Sequence, residues 1–142
     1  MGVALAILVA ATSHLAASPI DTRSTDEFNR LVFSTPLSQF VAAADRREPA
    51  IFDWSTDLCS APLVGNSGGT FDFGSACRRH DFAYRNAKKI PGLWNSSSRH
   101  KIDLQFRRDM SASCGKRPLV QRLPCRAWAE IYYQAVRIAG GP

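Results

Sequence analysis

Apolar positions recur at three- and four-residue intervals along most of this chain, and no convincing pair of alternating strand segments appears. Phe28, Leu31 and Val32 follow Ser24-Thr25-Asp26-Glu27, a capping-box arrangement that predicts a helix with Ser24 at its N-cap. Thr35-Pro36 predicts a second helix with Pro at its first position and Leu37, Phe40, Val41 and Ala44 on its apolar face. Residues 57–73 are rich in Gly, Ser, Asn and Pro and read as a long loop. A third helix is predicted over about 75–89, where Cys77, His80, Asp81 and Tyr84 share a face and Pro91-Gly92 ends it.

Ser97 or Ser98 is expected to open a fourth helix, with Ile102, Asp103, Phe106 and Met110 on one side. A loop is expected over 114–124. The last helix is expected over 125–138, with Trp128, Tyr132, Ala135 and Ala139 as its stripe. Gly140-Gly141-Pro142 terminates it. The expected fold class is all-α: a single small helical domain, with two long disulfide-stapled helices and short N-terminal helices.

The 142 residues allow one ordinary domain. That is too short for a TIM barrel or a two-barrel serine protease. Hydrophobic residues make up 45%, enough to build a core. Residues 3–11 form an apolar run too short to span a bilayer, and small residues follow it. It reads as a signal peptide over 1–17, with cleavage between 17 and 20, and no other segment is long enough to cross a membrane. The remaining 18–142 form the domain, with 18–47 open to partial removal as a propeptide; Arg46-Arg47 is a dibasic pair there.

A secreted chain of this size with Cys59, Cys77, Cys114 and Cys125 implies two disulfides. Three pairings are possible; Cys59–Cys77 with Cys114–Cys125 closes the shortest loops. Zinc is disfavoured, because there is no C-x-x-C and His is scarce. Asn95-Ser96-Ser97 is a glycosylation sequon for an exposed site in a secreted chain.

The formal charge of +6 is unevenly placed. Residues 1–77 hold 4 basic and 8 acidic side chains, and residues 78–142 hold 14 and 4. A basic half suits a polyanionic partner without choosing among nucleic acid, membrane and glycan.

Cys77-Arg78-Arg79-His80-Asp81 is the conspicuous motif. Asp103, among apolar neighbours, needs a partner if buried, and His80 on the facing helix is one. A carboxylate on one imidazole nitrogen leaves the other as a base near neutral pH. A structural His–Asp ion pair fits the spacing equally well. A Cys59–Cys77 bridge brings Asp57 towards Asp81, and two carboxylates with a turn carbonyl are donors that Ca²⁺ prefers. Asp57 as a simple turn cap is the alternative. Gly65-Asn66-Ser67-Gly68-Gly69 satisfies G-x-S-x-G, but no strand precedes it, so Ser67 is not expected to be a nucleophile.

Phe52-Asp53-Trp54-Ser55-Thr56-Asp57-Leu58-Cys59, followed by Ala76-Cys77-Arg78-Arg79-His80-Asp81-Phe82-Ala83-Tyr84-Arg85-Asn86, resembles the secreted phospholipases A2 of the bacterial and fungal type. Ile102-Asp103-x-x-Phe106-x-x-Asp109-Met110 and the aromatic ending around Trp128 and Tyr132-Tyr133 look like that family's later helices. The resemblance runs over about 24–140. It implies a calcium-dependent hydrolase that cleaves the sn-2 acyl ester of glycerophospholipids. It implies His80 as the catalytic base, oriented by Asp103. It implies Asp57 and Asp81 as calcium ligands, with the Leu58 carbonyl. The Gly- and Ser-rich stretch 63–70 departs from relatives that carry Pro and Phe there, which leaves acyl-chain preference open.

Under that resemblance the partner is a phospholipid membrane or micelle surface rather than nucleic acid. The protein is expected to be extracellular and monomeric. Arg78, Arg79, Lys88, Lys89, Arg107 and Arg108 are candidates for holding anionic headgroups. The competing readings are a non-enzymatic basic secreted protein that binds membranes or glycans, and a metal-dependent nuclease. The nuclease lacks recognisable base-stacking or phosphate-binding motifs.

Overall fold

The computed structural model describes residues 19–59 and 71–141, and among them every regular element is helical. In order these are α1 (Pro19–Asn29), a π-helical turn (Arg30–Ser34), α2 (Leu37–Arg46), α3 (Gly74–Ala87), α4 (Ser96–Gly115) and α5 (Leu119–Ala139). The expected signal peptide, and Ser67 with its loop, lie outside the described residues.

Pro36, expected as the first residue of the second helix, is instead the N-cap of α2, with ψ of 141° leaving it just outside the helix, and three further boundaries differ from expectation. Ser24 lies inside α1, because the helix already runs from Pro19. Backbone carbonyls upstream then take the N–H groups that a Ser24 cap would have served. Glu27 instead receives both Arg30 Nε at 2.8 Å and Nη2 at 2.6 Å. The fourth helix opens one or two residues earlier than expected: Asn95 is the N-cap, and its side chain accepts from Ser98 N–H at 3.0 Å. The last helix starts at Leu119 and continues through Pro124. Proline removes one helical hydrogen bond. Burial of Cys125 and Ala129 just beyond it, and the Cys114–Cys125 bridge, hold the chain in register.

Two apolar clusters meet across α3. On one side Phe82 is the hub, with ring centroids 4.4 Å from Trp54 and 5.3 Å from both Phe40 and Phe52. Phe28, Leu31 and Val32 close this cluster from the N-terminal helices. On the other side, Cys77 and Ala76 pack with Phe106, Met110, Ala129 and Tyr132, and both disulfides lie in this cluster. The pairings Cys59–Cys77 and Cys114–Cys125, with Cα separations of 5.3 and 5.6 Å, are the expected ones.

The partners His80–Asp103 and Tyr84–Arg99 run in opposite directions along α3 and α4, so these helices are antiparallel. Arg99–Arg137 and Cys114–Cys125 show the same for α4 and α5. Arg79 is buried, with its Nη1 donating to the carbonyls of Val32 at 3.1 Å and Thr35 at 2.8 Å. It holds the carbonyl end of the π-helical turn against α3, where a cation is favourably placed. Its charge is matched by buried Asp109, whose Oδ2 lies 3.2 Å from Arg79 Nε.

Candidate active site

The loop before α3 is laced to that helix turn by turn. Buried Asn86 accepts from Asp53 N–H at 2.8 Å and donates Nδ2–H to Asp53 O at 2.9 Å, much as a neighbouring strand would. Lys89 Nζ reaches Asp53 Oδ2 at 2.6 Å. This ion pair, with two hydrogen bonds from Ser55, holds the Asp53 carboxyl well below the usual carboxylate range. Arg85 Nη2 donates to Asp57 Oδ1 at 2.9 Å. Thr56 Oγ1 and Asp57 N–H both donate to Asp81 Oδ2, at 2.6 and 3.1 Å. The Cys59–Cys77 bridge closes the segment. Asp57, Leu58 and Asp81 are thereby gathered against the middle of α3.

His80 is one residue from Asp81 but points to α4. Its side chain is 10% exposed and lies between the rings of Tyr84 and Phe106, at centroid distances of 4.3 and 4.6 Å. His80 Nε2 is 2.8 Å from Asp103 Oδ1. With Asp103 accepting the Nε2 proton, Nδ1 is the nitrogen left with a lone pair for chemistry.

Asp103 has no solvent exposure. Tyr84 Oη donates to its Oδ1 at 2.7 Å, and Arg137 Nη1 donates to its Oδ2 at 2.8 Å. Arg99 Nε stands 3.6 Å from the same Oδ2. Burial alone would push the carboxyl upward, but the hydrogen bonds from His80, Tyr84 and Arg137 outweigh it and hold it below its ordinary value. Tyr84 is pushed far upward, first by burial and then by the bond it gives to Asp103, so it remains a phenol and a donor.

Arg99 Nη2 also donates to the carbonyls of Val136 at 3.0 Å and Arg137 at 2.6 Å, tying the end of α5 to α4. Gly140 completes this corner: a Cβ there would lie 2.9 Å from Tyr84 Oη and 3.0 Å from Val136 O. A side chain at this position would crowd the Tyr84 hydroxyl that donates to Asp103.

A cavity of about 560 Å³ opens over His80. Asp57, Asp81 and Leu58 stand at its polar side, and Phe106, Tyr132 and Val136 are among its apolar walls. Its size and lining suit an acyl chain presented to a polar reacting group. Asp103 does not line it and sits behind His80.

The donor set beside His80 has the chemistry for a hard divalent cation. Burial raises the Asp81 carboxyl, the Thr56 hydrogen bond lowers it, and the nearby Asp57 charge raises it again. A cation relieves both burial and repulsion. Leu58 adopts a left-handed φ of 58°, which re-aims the backbone next to Asp57. Among the described residues no group of three or more His, Cys, Asp or Glu side chains is arranged to hold a metal. Two carboxylates and a backbone carbonyl therefore make up the candidate set.

Sequence reasoning missed Arg99, Arg137, Thr56 and Asn86. Arg99 was within reach, four residues before Asp103 on one helix face. Arg137 comes from 34 positions away and leaves no spacing signal. One headgroup candidate needs correction. Arg79 is buried on Asp109 and backbone carbonyls, because the turn before α2 needs its donors. Arg78, Lys89 and Arg107 are engaged with Asp45, Asp53 and Glu130. Lys88 does line the cavity, with its Nζ 4.9 Å from the Trp94 ring centroid.

Residues 28–140 match the sequence model of a family described as prokaryotic phospholipase A2. A secretory phospholipase A2 of Beauveria bassiana is 37% identical over 127 residues, covering 88% of this chain and 64% of that protein. A secretory phospholipase A2 of Arthroderma benhamiae is 33% identical over 146 residues, covering 99% of this chain and 97% of that protein. The chain thus spans under two thirds of the first relative and nearly all of the second.

Proposed function

The chain belongs to the prokaryotic phospholipase A2 family, and from that premise we propose that it hydrolyses the sn-2 acyl ester of glycerophospholipids, with His80 as general base and calcium as its cofactor. The observation that carries this reading is the His80–Asp103 pair at 2.8 Å beneath an apolar cavity whose polar side holds Asp57 and Asp81. Neither a membrane binder nor a glycan binder needs a buried carboxylate poised on a cavity histidine.

The acyl chain lies along Phe106, Tyr132 and Val136, which exclude water from the ester. His80 Nδ1 takes a proton from a water molecule, and that water attacks the carbonyl. The imidazolium that forms is steadied by Asp103, which stays ionised because its donors outweigh its burial. His80 then returns the proton to the departing glycerol oxygen, and no acyl-enzyme is required. Asp57, Asp81 and the Leu58 carbonyl would hold calcium, which supplies Lewis-acid stabilisation of negative charge on the ester oxygen.

The names of the two relatives support secretion, with residues 1–17 as the leader and the domain following. Burial of Phe28, Leu31, Val32 and Phe40 in the core supports a working enzyme that keeps these helices. Asn95 is exposed and suits a glycan attached in the secretory route. The test is hydrolysis of phospholipids labelled separately at sn-1 and sn-2. Release of the sn-2 label, abolished by a chelator, supports the reading. Preferential release of the sn-1 label, or release unaffected by the chelator, overturns it.

A further inference from the structure

We propose that the outward face of α5 is a docking surface for an anionic phospholipid layer, continuous with the mouth of the active-site cavity. The inference rests on the lipid-hydrolase reading and states where the protein meets its aggregated substrate.

α5 has two apolar faces. Cys125, Ala129, Tyr132 and Tyr133 are buried. Val120, Leu123, Ala127, Ile131 and Ile138 recur at spacings of 3, 4, 4 and 7, and so share another side of the helix. That side faces water: Val120 is 85% exposed, Leu123 79%, Ile131 48% and Ile138 86%. Leu119 extends it at the N-terminal end. Five of the seven large apolar side chains exposed among the described residues belong to this helix. A helix that only completes a core presents polar residues outward. An apolar stripe over residues 119–138, about 30 Å of helix and interrupted on that face by Gln134, marks a surface that meets something other than water.

Two observations identify the occupant. The stripe ends at the cavity, since Ala135, Ile138 and Ala139 line it. A layer resting on α5 therefore lies against the opening through which an acyl chain must enter. The charge at the N-terminal end of the stripe is of one sign: residues 116–126 contain Lys116, Arg117, Arg122 and Arg126 and no acid, with Arg117 lying over the Phe71 ring and Arg122 Nε donating to the Arg117 carbonyl. The single acid of α5, Glu130, is matched by Arg107 at 2.7 Å. No described helix is long and apolar enough to cross a membrane. An apolar stripe beside cations on such a helix suits a position in the plane of an anionic interface.

The test uses a His80→Ala background, so that binding is read without hydrolysis. Co-sedimentation with phosphatidylglycerol vesicles compares this parent with the same protein carrying Val120→Ser, Leu123→Gln and Ile131→Gln, with melting temperature as the check on folding. Binding weakened by about tenfold or more, with a smaller difference on phosphatidylcholine vesicles, is expected. A separate Leu123→Trp variant should gain emission that is quenched by acyl-brominated lipids beyond any change in the parent. Unchanged vesicle binding in the triple variant overturns the proposal, as does added emission in the Leu123→Trp variant that brominated lipid leaves unquenched. A parent that sediments as a dimer and is made monomeric by the three substitutions overturns it too, by assigning the stripe to a second copy. Binding is scored apart from catalysis, so the docking face and the hydrolytic reading stand or fall separately.

Discussion

Arg137 Nη1 donates to Asp103 Oδ2 at 2.8 Å, so the last turn of α5 reaches the carboxylate that holds His80. Arg137 does not line the cavity. Its consequence for chemistry therefore runs through the position and charge of Asp103. Arg137→Gln should lower kcat by roughly tenfold with KM little changed, and Arg137→Lys should restore much of the loss. Steady-state kinetics on a dispersed short-chain phospholipid separates the two constants. A change confined to KM contradicts the positioning role.

Gly140 is the packing counterpart of that contact. A methyl group there meets Tyr84 Oη at 2.9 Å and Val136 O at 3.0 Å. Gly140→Ala should destabilise the fold by about 1–3 kcal/mol and lower kcat together with stability, because Tyr84 must move off Asp103. Tyr84→Phe in the Gly140→Ala background should recover part of the stability by removing the clashing oxygen. Urea unfolding of the single and double variants measures both.

Asp81 gives a prediction about ion removal. Its folded-state value is raised, chiefly by burial. A raised carboxyl favours the fold while it is protonated, below its unfolded value, and loses that contribution as pH rises through the folded value. Without a cation, the ionised form of Asp81 is a net cost to the fold. Asp81→Asn should therefore raise the melting temperature in chelator at pH 7 and abolish the further rise that calcium gives wild type. Scanning calorimetry of both proteins, with and without calcium, reads the four values.

The faces of α3 and α4 were legible because helical periodicity alone places Cys77, His80, Asp81 and Tyr84 together and sets Ile102, Asp103, Phe106 and Met110 on one side. The local disulfide pairing followed from loop length. Helix starts were less legible. The Ser24 capping box is a local preference that loses to a helix already under way from Pro19. Pro124 reads as a stop until Cys125 and Ala129 are seen packed behind it. The Arg137 partner of Asp103 from α5, and the two hydrogen bonds of Asn86 to the Asp53 backbone, arise only when distant segments fold together. Their residue types, arginine and asparagine on amphipathic helices, look like ordinary solvated positions in the sequence. The outward stripe of α5 was hidden similarly: periodicity marks apolar positions but does not say which of two faces the core takes.

The most direct measurement is fatty-acid release from phospholipid vesicles by wild type and His80→Ala, each with calcium and with a chelator. The expected result is release by wild type with calcium only, and a loss of several orders of magnitude in the variant while its melting temperature stays close to that of wild type. Release by His80→Ala at the wild-type rate, or wild-type release that persists in chelator, would contradict the assignment of the base or of its cofactor.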